Sequence, residues 1–197
     1  MMSYADWRKK LMTVEEIYSK LASHMIQGLM THEQLANYYD FLGLKGYKRC
    51  HEYHYLDETC NYRKLCRYFI NHHSKLIPES DVDNPEIIPS NWYRYERQDV
   101  DNGTKVNAIK NGITLWVNWE KETKKLYEEM YEELININEV ASAMNLKMFI
   151  CGVDEELKCA ERKFLDLKAI DYSLEVIIPA QHEIHEKYKK KMKELEV

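Results

Sequence analysis

Residues that interrupt helices are few in this chain, and its prolines are concentrated in one segment. Its 197 residues include six glycines and four prolines, and Pro78, Pro85 and Pro89 all fall between residues 76 and 104. Because glycine and proline are the strongest interrupters of regular structure, their scarcity predicts long helices joined by few turns. The chain also lacks the alternation of apolar and polar residues that strands show. We therefore expect an all-α protein.

Composition and charge exclude several classes of partner. The net charge is -5 and the mean hydropathy is -0.62, so no basic field is present to hold nucleic acid. No run approaches the roughly 18 consecutive apolar residues of a membrane span, and the N-terminus lacks the apolar stretch of a signal peptide. The five cysteines lack Cys-x-x-Cys spacing, which favours free thiols. We expect a cytoplasmic protein without nucleic-acid or membrane partners.

The first two predicted helices form a hairpin. Apolar and small residues recur at steps of three and four from Thr13 to about Leu42, which indicates a helix with one buried stripe. Thr13 and Glu16 have the spacing of a capping box and predict the helix start. Gly43 favours the left-handed conformation that ends many helices. A second helix is expected from about Tyr47 to His73, antiparallel to the first, with the adjacent histidines His72 and His73 marking its end.

Three more helices are predicted beyond a long connection. A third helix is expected from about Val106 to Asn138 and a fourth from about Ser142 to Glu175. Pro179 is expected to open a short final helix, since proline is tolerated at the first helical position. The connection, about 76–104, is long enough to carry the chain from one end of a bundle to the other. The third helix would then run parallel to the second.

The aromatic residues of this connection, Trp92, Tyr93 and Tyr95, are expected to pack on the flank of the bundle. The length of the chain suits one domain. We expect a single helical domain over residues 1–197, with the bundle at about 13–175 and a C-terminal helix at about 179–195.

This layout of a helical hairpin, a long crossover and a second hairpin resembles the ferritin-like superfamily. The resemblance is most detailed where the first two helices join, in LANYYDFLGLKGYKRCHEYHYLDETCNYRKL, Leu35 to Leu65. There an aromatic-rich helix end, a Leu-Gly turn and a glycine-aromatic restart are similar to bacterial-type ferritins. The resemblance implies a four-helix bundle whose centre binds metal through carboxylates, often in Glu-x-x-His pairs.

The same resemblance assigns candidate metal ligands. Aligned on the Leu-Gly turn, Glu58 falls where the second-helix Glu-x-x-His pair begins, and Asn61 replaces its histidine. The segment NWEKETKKL places Glu120 at the third-helix acid position, and VDEELKCAERK places Glu156 and Cys159 at the fourth-helix positions. The position of the first-helix glutamate is occupied by Met25. The resemblance thus implies three carboxylates in a changed ligand set.

The helical period adds three histidines without reference to any family. His51, His54 and Glu58 are spaced at i, i+3 and i+7, so they share one face of the second helix. If Met25 is level with Glu58 in an antiparallel pair, His32 is level with His51. We hypothesise a displaced or mononuclear site with imidazole and carboxylate ligands, suited to Fe, Mn or Zn. The chemistry implied by the resemblance is binding and oxidation of Fe(II), or activation of dioxygen.

Two alternatives remain open at this point. The histidines could be interior residues bonded to tyrosine hydroxyls, and the carboxylates could be compensated by a lysine such as Lys163. The chain would then be a metal-free, ferritin-like bundle that binds a protein partner or forms a homo-oligomer. The metal-site hypothesis requires a metal ion as partner, whereas the metal-free bundle requires none.

Overall fold

The computed structural model of the chain describes residues 11–78, 82, 96 and 100–195. These residues form five helices and no strand: α1 (Val14–Phe41), α2 (Lys45–His73), α3 (Asn102–Asn136), α4 (Val140–Ala169) and α5 (Leu174–Leu195). The all-α architecture is confirmed, with four long helices and an additional C-terminal one. Among the described residues, no helix is both long and apolar enough to cross a membrane.

The first hairpin begins and turns as the sequence predicts. The backbone N–H of Glu16 donates to Thr13 Oγ1 at 3.2 Å, and the backbone N–H of Thr13 donates to Glu16 Oε2 at 2.7 Å. This is the predicted capping box, and it satisfies two donors that the first helical turn leaves free. Gly43 adopts a φ of 77° in the turn between α1 and α2, the left-handed region that glycine reaches without strain.

The contacts between helices define the directions in which they run. His24 of α1 contacts Thr123 of α3, whereas Tyr39, near the other end of α1, approaches Gly112. Tyr18 packs against Phe69 of α2, and Tyr39 packs against Tyr47. Because α1 therefore runs antiparallel to both α2 and α3, α3 is parallel to α2, as the long crossover predicts. The aromatic residues Trp92, Tyr93 and Tyr95 lie outside the described residues.

The final helix begins earlier than predicted. It starts at Leu174, and Pro179 lies inside it, so the prediction that Pro179 opens this helix is wrong. α4 ends at Ala169 because Asp171 and Tyr172 adopt φ values of 47° and 54°. These left-handed residues make the turn that the sequence analysis placed several residues later. No glycine marks this turn, so the usual sequence signal is missing.

Two apolar clusters fill the bundle, one towards each end. The first includes Tyr39, Leu42, Cys50, Ile109, Trp116, Ala160 and Leu167, and it extends to Ile177 and Tyr188 of α5. The second includes Ile17, Leu21, Met25, Leu65, Phe69, Met130, Leu134, Leu146 and Val153. Each of the four long helices contributes to both clusters. Along each helix, one short segment separates the two contributions.

Candidate metal centre

A layer of polar side chains crosses the bundle between the two apolar clusters. The four long helices all contribute to it, and its members are His32 from α1, His51, His54 and Glu58 from α2, Glu120 from α3 and Glu156 from α4. All are buried except Glu156, whose side chain is 20% exposed. We call these six residues the central polar layer. Three buried or half-buried carboxylates so close to the core require compensation by cations or hydrogen-bond donors.

The three histidines meet as the helical period predicts. His32 Nδ1 lies 3.1 Å from His51 Nδ1, and the rings of His32 and His54 stack with their centroids 5.2 Å apart. One Nδ1 atom of the close pair must carry a proton and the other a lone pair, since two like groups cannot bond at this distance. Burial, and next the charge of His54, lower the pKa of His32 to about 3. His32 is therefore a neutral imidazole with a lone pair.

Glu120 is held by an indole that the sequence analysis did not assign to the site. Trp116 Nε1 donates to Glu120 Oε1 at 2.8 Å, and His32 Nε2 lies 3.8 Å from the same oxygen. The signal in the sequence is the i, i+4 spacing of Trp116 and Glu120, which puts both side chains on one face of α3. The second carboxylate–imidazole pair of the layer is His54 and Glu156, with His54 Nδ1 3.6 Å from Glu156 Oε1.

Glu58 faces α1 one helical turn away from the predicted level. A Cβ atom at Gly28 would lie 3.4 Å from Glu58 Oε1, so Gly28, and not Met25, is the α1 residue opposite this carboxylate. Met25 is buried in the second apolar cluster. The prediction matched the levels of the two helices by whole turns. It did not include the direction in which a long glutamate side chain extends along its helix. On α1, a glycine therefore leaves space beside Glu58.

Several polar atoms of the layer are buried without a hydrogen-bond partner. They include His32 Nε2, Glu58 Oε2 and Glu120 Oε2. Buried polar groups in proteins are nearly always hydrogen-bonded, so exceptions gathered in one place require an explanation such as a bound ion. The atoms available as metal ligands are carboxylate oxygens and imidazole nitrogens, which fit a divalent transition metal.

The three carboxylates have different pKa values because they are buried close to one another and their charges interact. Burial, together with the charge of Glu156, raises the pKa of Glu120 to about 8. Burial raises the pKa of Glu58 well above its usual range, and the charges of Glu156 and Glu120 raise it further. Burial also acts upward on Glu156, but the close approach and positive charge of His54 outweigh this and lower its pKa. Only with an added cation could all three be ionised together at neutral pH.

A pocket of about 440 Å³ between α2 and α4 reaches Glu58 and Glu156 from the surface. Asp57 and Asn61 also line it, and Asn61 Nδ2 donates to Asp57 Oδ2 at 3.4 Å. Burial and the nearby Glu156 raise the pKa of Asp57 to about 6. Asp57 was not predicted, because its neighbour Glu58 already occupied the inward position of that turn. The pocket gives a hydrated ion a route to the carboxylates.

The remaining predicted residues lie to one side of the layer. Cys159 is half-buried and interacts with the Tyr188 hydroxyl of α5. Lys163 Nζ donates to Cys50 Sγ at 3.2 Å and lies 5.2 Å from the centre of the Trp116 ring. Lys163 therefore neutralises a buried thiolate: burial raises the pKa of Cys50, but the charges of Lys163 and His54 lower it to about 6. This placement does not support compensation of the three carboxylates by Lys163.

The potential metal-ligand atoms of the central polar layer lie close to one another in pairs and not in groups of three. Within the part of the chain that the structure describes, one group of three His, Cys, Asp or Glu residues has its donor atoms within 4.8 Å of one another, and it consists of His72, His73 and Glu139. That group lies at the end of the bundle. Binding of one ion by three donors of the central layer requires side-chain rotation, which is available to glutamate through its three χ angles.

Comparisons with known proteins agree on the fold. No family sequence model matches the chain, and no curated protein matches its sequence. An engineered closed form of Archaeoglobus fulgidus ferritin superposes with a TM-score of 0.72 at 17% identity, covering 87% of this chain and 93% of that one. A humanized archaeal ferritin gives 0.72 at 16% identity, covering 87% and 94%.

An open-pore ferritin from Archaeoglobus fulgidus likewise gives a TM-score of 0.72 at 17% identity, covering 87% of this chain and 94% of that one. Identity this low establishes shared architecture and not shared chemistry. The chain has the ferritin-like four-helix-bundle fold.

Proposed function

We propose that this protein binds Fe(II) in the central polar layer, as its cargo or substrate. The observation that carries the proposal is the pair of buried carboxylates, Glu58 and Glu120, whose unpartnered oxygens lie in one layer with the neutral imidazole of His32. A divalent ion would supply the missing charge. The solved structures that share the fold are named as ferritins, which favours iron over Mn or Zn.

The residues of the layer would divide the work of holding the ion. Glu58, Glu120 and Glu156 offer oxygen donors, and His54 offers a nitrogen beside Glu156 once the ion displaces its proton. His51 and His32 lie against the His54 ring and would help to hold it in place. Cys159 lies at the edge of the central polar layer. Trp116 orients Glu120 through its indole N–H. Iron bound by mixed oxygen and nitrogen ligands can be oxidised by dioxygen.

The ligand set favours one ion per chain. Gly28 stands on α1 opposite Glu58, where a further carboxylate would be needed to hold a second ion. Asn61, at the position of the expected second-helix histidine, donates to Asp57 at the pocket. The pocket between α2 and α4 lets the ion enter beside Glu156.

Anaerobic titration with Fe(II), followed by calorimetry, tests the binding directly. Glu155 and Glu156 are neighbours on α4, but Glu155 is exposed and Glu156 lies beside His54. We expect Glu156→Gln to weaken Fe(II) binding at least about 10-fold, as loss of a metal-supporting carboxylate does, and Glu155→Gln to leave it unchanged. Equal affinity in both variants and the wild type would refute the assignment.

A second pair of variants controls for the fold of α3. Glu120→Gln removes a buried carboxylate, whereas Glu122→Gln changes an exposed one two residues away. Only the first should reduce Fe(II) binding. Oxygen uptake on addition of Fe(II) then separates oxidation from binding: uptake that disappears in Glu120→Gln supports a catalytic site, and binding without uptake assigns storage or transport.

A metal-free bundle that self-associates is the second candidate. It is favoured by an exposed apolar row on α4, in which Val140, Met144 and Met148 are 57%, 55% and 65% exposed. These positions are four residues apart and so share one face of the helix. Light scattering on the wild type and on Met144→Lys tests this: a larger assembly that the substitution dissociates, in a protein that does not bind Fe(II), would make self-association the function.

A further inference from the structure

A second cluster of metal-binding side chains lies at the end of the bundle, away from the central polar layer. His72 and His73 occupy the last turn of α2, and Glu139 is the residue immediately before α4. One nitrogen from each imidazole and one carboxylate oxygen lie within 4.8 Å of one another. His72 follows Glu58 by 14 residues on α2, which corresponds to about 21 Å along the helix axis. The two sites are therefore separate.

A buried serine fixes two of the three side chains. The Ser142 hydroxyl, which is inaccessible to solvent, donates to Glu139 Oε2 at 3.2 Å. His73 Nε2 lies 3.1 Å from the same hydroxyl. Because the hydroxyl has only one proton, His73 Nε2 must donate to it. This bond selects the tautomer of His73 that keeps its lone pair on Nδ1, the kind of outer support that metal-binding histidines usually have.

Aromatic contacts further restrict the ring of His73. Its centroid lies 4.8 Å from that of Phe69 and 5.9 Å from that of Tyr18, and both aromatic residues are buried. His72 is exposed and packs edge-on against His73 at 4.8 Å between centroids. The site thus combines one rigid imidazole with one that is open to solvent.

The helix ends and charged residues around this cluster permit a cation to bind. The carbonyl groups at the C-terminus of α2 carry partial negative charge, which favours cations near His72 and His73. The partial positive charge at the N-terminus of α4 opposes this, and the Glu139 carboxylate offsets it. Lys75, the nearest basic residue along the chain, forms an ion pair with Glu15.

We propose that His72, His73 and Glu139 bind a divalent transition metal ion such as Zn²⁺. Two imidazoles and one carboxylate suit Zn²⁺ or Co²⁺, whereas Mg²⁺ and Ca²⁺ prefer oxygen ligands throughout. Three protein ligands and an exposed His72 leave further coordination positions for water. The ion would join the end of α2 to the start of α4, and so link the two helical hairpins. This inference is independent of the Fe(II) site.

Calorimetric titration with Zn²⁺ tests the inference. The titration is performed on the Glu156→Gln background, which removes a donor from the central layer while leaving the end of the bundle intact. Within that background we expect His72→Asn with Glu139→Gln to lose one equivalent of bound Zn²⁺, or to bind it at least about 10-fold more weakly. His182→Asn is the matched control, because His182 is an exposed histidine on α5.

Thermal unfolding gives a second, independent result. In the Glu156→Gln background, Zn²⁺ should raise the Tm of the protein and of its His182→Asn variant, because a ligand that binds only the folded state stabilises it. The rise should disappear in His72→Asn, an exposed substitution that leaves the core untouched. Equal Zn²⁺ stoichiometry and affinity with and without the double substitution, or an equal rise in Tm, would overturn the proposal.

Discussion

His24 is a neutral, half-buried base outside the central polar layer. Its ring stacks on Trp119 with centroids 4.4 Å apart, and its Nε2 lies 2.7 Å from Thr123 Oγ1. The Thr123 hydroxyl donates to the Trp119 carbonyl at 2.9 Å, so it accepts from His24 Nε2–H. Burial lowers the pKa of His24 to about 4.

This depressed pKa predicts a loss of stability in mild acid. The unfolded chain takes up the proton at its ordinary pKa of about 6.5, whereas the folded chain resists protonation until about pH 4. The contribution of His24 is therefore complete above about pH 6.5 and is lost as the pH falls towards 4. At pH 5 the loss is about 2 kcal/mol.

Urea unfolding at pH 7.5 and pH 5 measures this effect. The drop in the free energy of unfolding between the two conditions should be smaller in His24→Gln than in the wild type, by about the 2 kcal/mol that protonation costs. The readout is the pH dependence, so any constant destabilisation by the substitution cancels. An equal drop in both proteins would contradict the assignment of a neutral, half-buried His24.

A comparison of two buried tryptophans on α3 measures what the hydrogen bond to Glu120 contributes to stability. Trp116 Nε1 donates to Glu120 Oε1 at 2.8 Å, whereas the buried Trp119 Nε1 has no hydrogen-bond partner. Both tryptophan-to-phenylalanine substitutions remove similar apolar area. Trp116→Phe should be the more destabilising by about 1.5–3 kcal/mol, since it leaves a buried carboxylate oxygen without its donor.

Chemical denaturation of the two metal-free variants provides the measurement. Trp116→Phe should also weaken Fe(II) binding, because Glu120 loses the group that orients it, while Trp119→Phe should not. If the two variants are equally stable, the indole of Trp116 does not stabilise Glu120.

At the scale of whole elements, α5 caps α2. The residue before α2, Leu44, provides no side-chain cap. Gln181 Oε1 of α5 instead accepts from the backbone N–H groups of Gly46 at 2.9 Å and Tyr47 at 3.1 Å. These are donors that the first turn of a helix leaves free. The close approach depends on Gly46, where a Cβ atom would lie 2.5 Å from the Gln181 carbonyl oxygen.

The same substitution at two helical glycines should therefore have opposite effects. Gly46→Ala forces α5 away from α2 and should cost about 1–3 kcal/mol, the usual range for overpacking. Gly152→Ala, on α4, has open space around its Cβ position and should stabilise the protein by about 0.5–1 kcal/mol. Unfolding free energies of both variants test the prediction, and a neutral Gly46→Ala would show that α5 packs more loosely than described.

The elements that the sequence predicted well have strong local signals. The capping box at Thr13 and the left-handed Gly43 define both ends of α1. The end of α4 was misplaced because Asp171 and Tyr172, which are not glycines, make its left-handed turn. Pro179 predicted a helix start, which proline usually marks, but it lies within α5.

At the scale of the whole molecule, helical periodicity predicted part of the site and tertiary packing supplied the rest. His32, His51 and His54 could be brought together from their spacing on two antiparallel helices. The side-chain path of Glu58 towards Gly28 depends on packing between helices that spacing does not encode. His72 and His73 were interpreted as a helix end because Glu139 is far away in sequence and meets them only in the folded bundle.

The bundle combines two apolar clusters with a polar layer between them. Such a layer is costly without a bound ion, because Glu58 and Glu120 must then either stay protonated, as their raised pKa values indicate, or be buried as bare ions. We therefore predict that the centre of this molecule is built around a bound ion, and that the unpartnered oxygens of Glu58 and Glu120 contact it.

Anomalous X-ray diffraction from crystals soaked anaerobically in Fe(II) tests this claim most directly, because it locates the ion itself. We predict an iron peak in the central polar layer, within bonding distance of Glu58, Glu120 and Glu156, that is lost in crystals of Glu120→Gln. An empty central layer in fully soaked wild-type crystals, with iron at other positions or at none, would contradict the account.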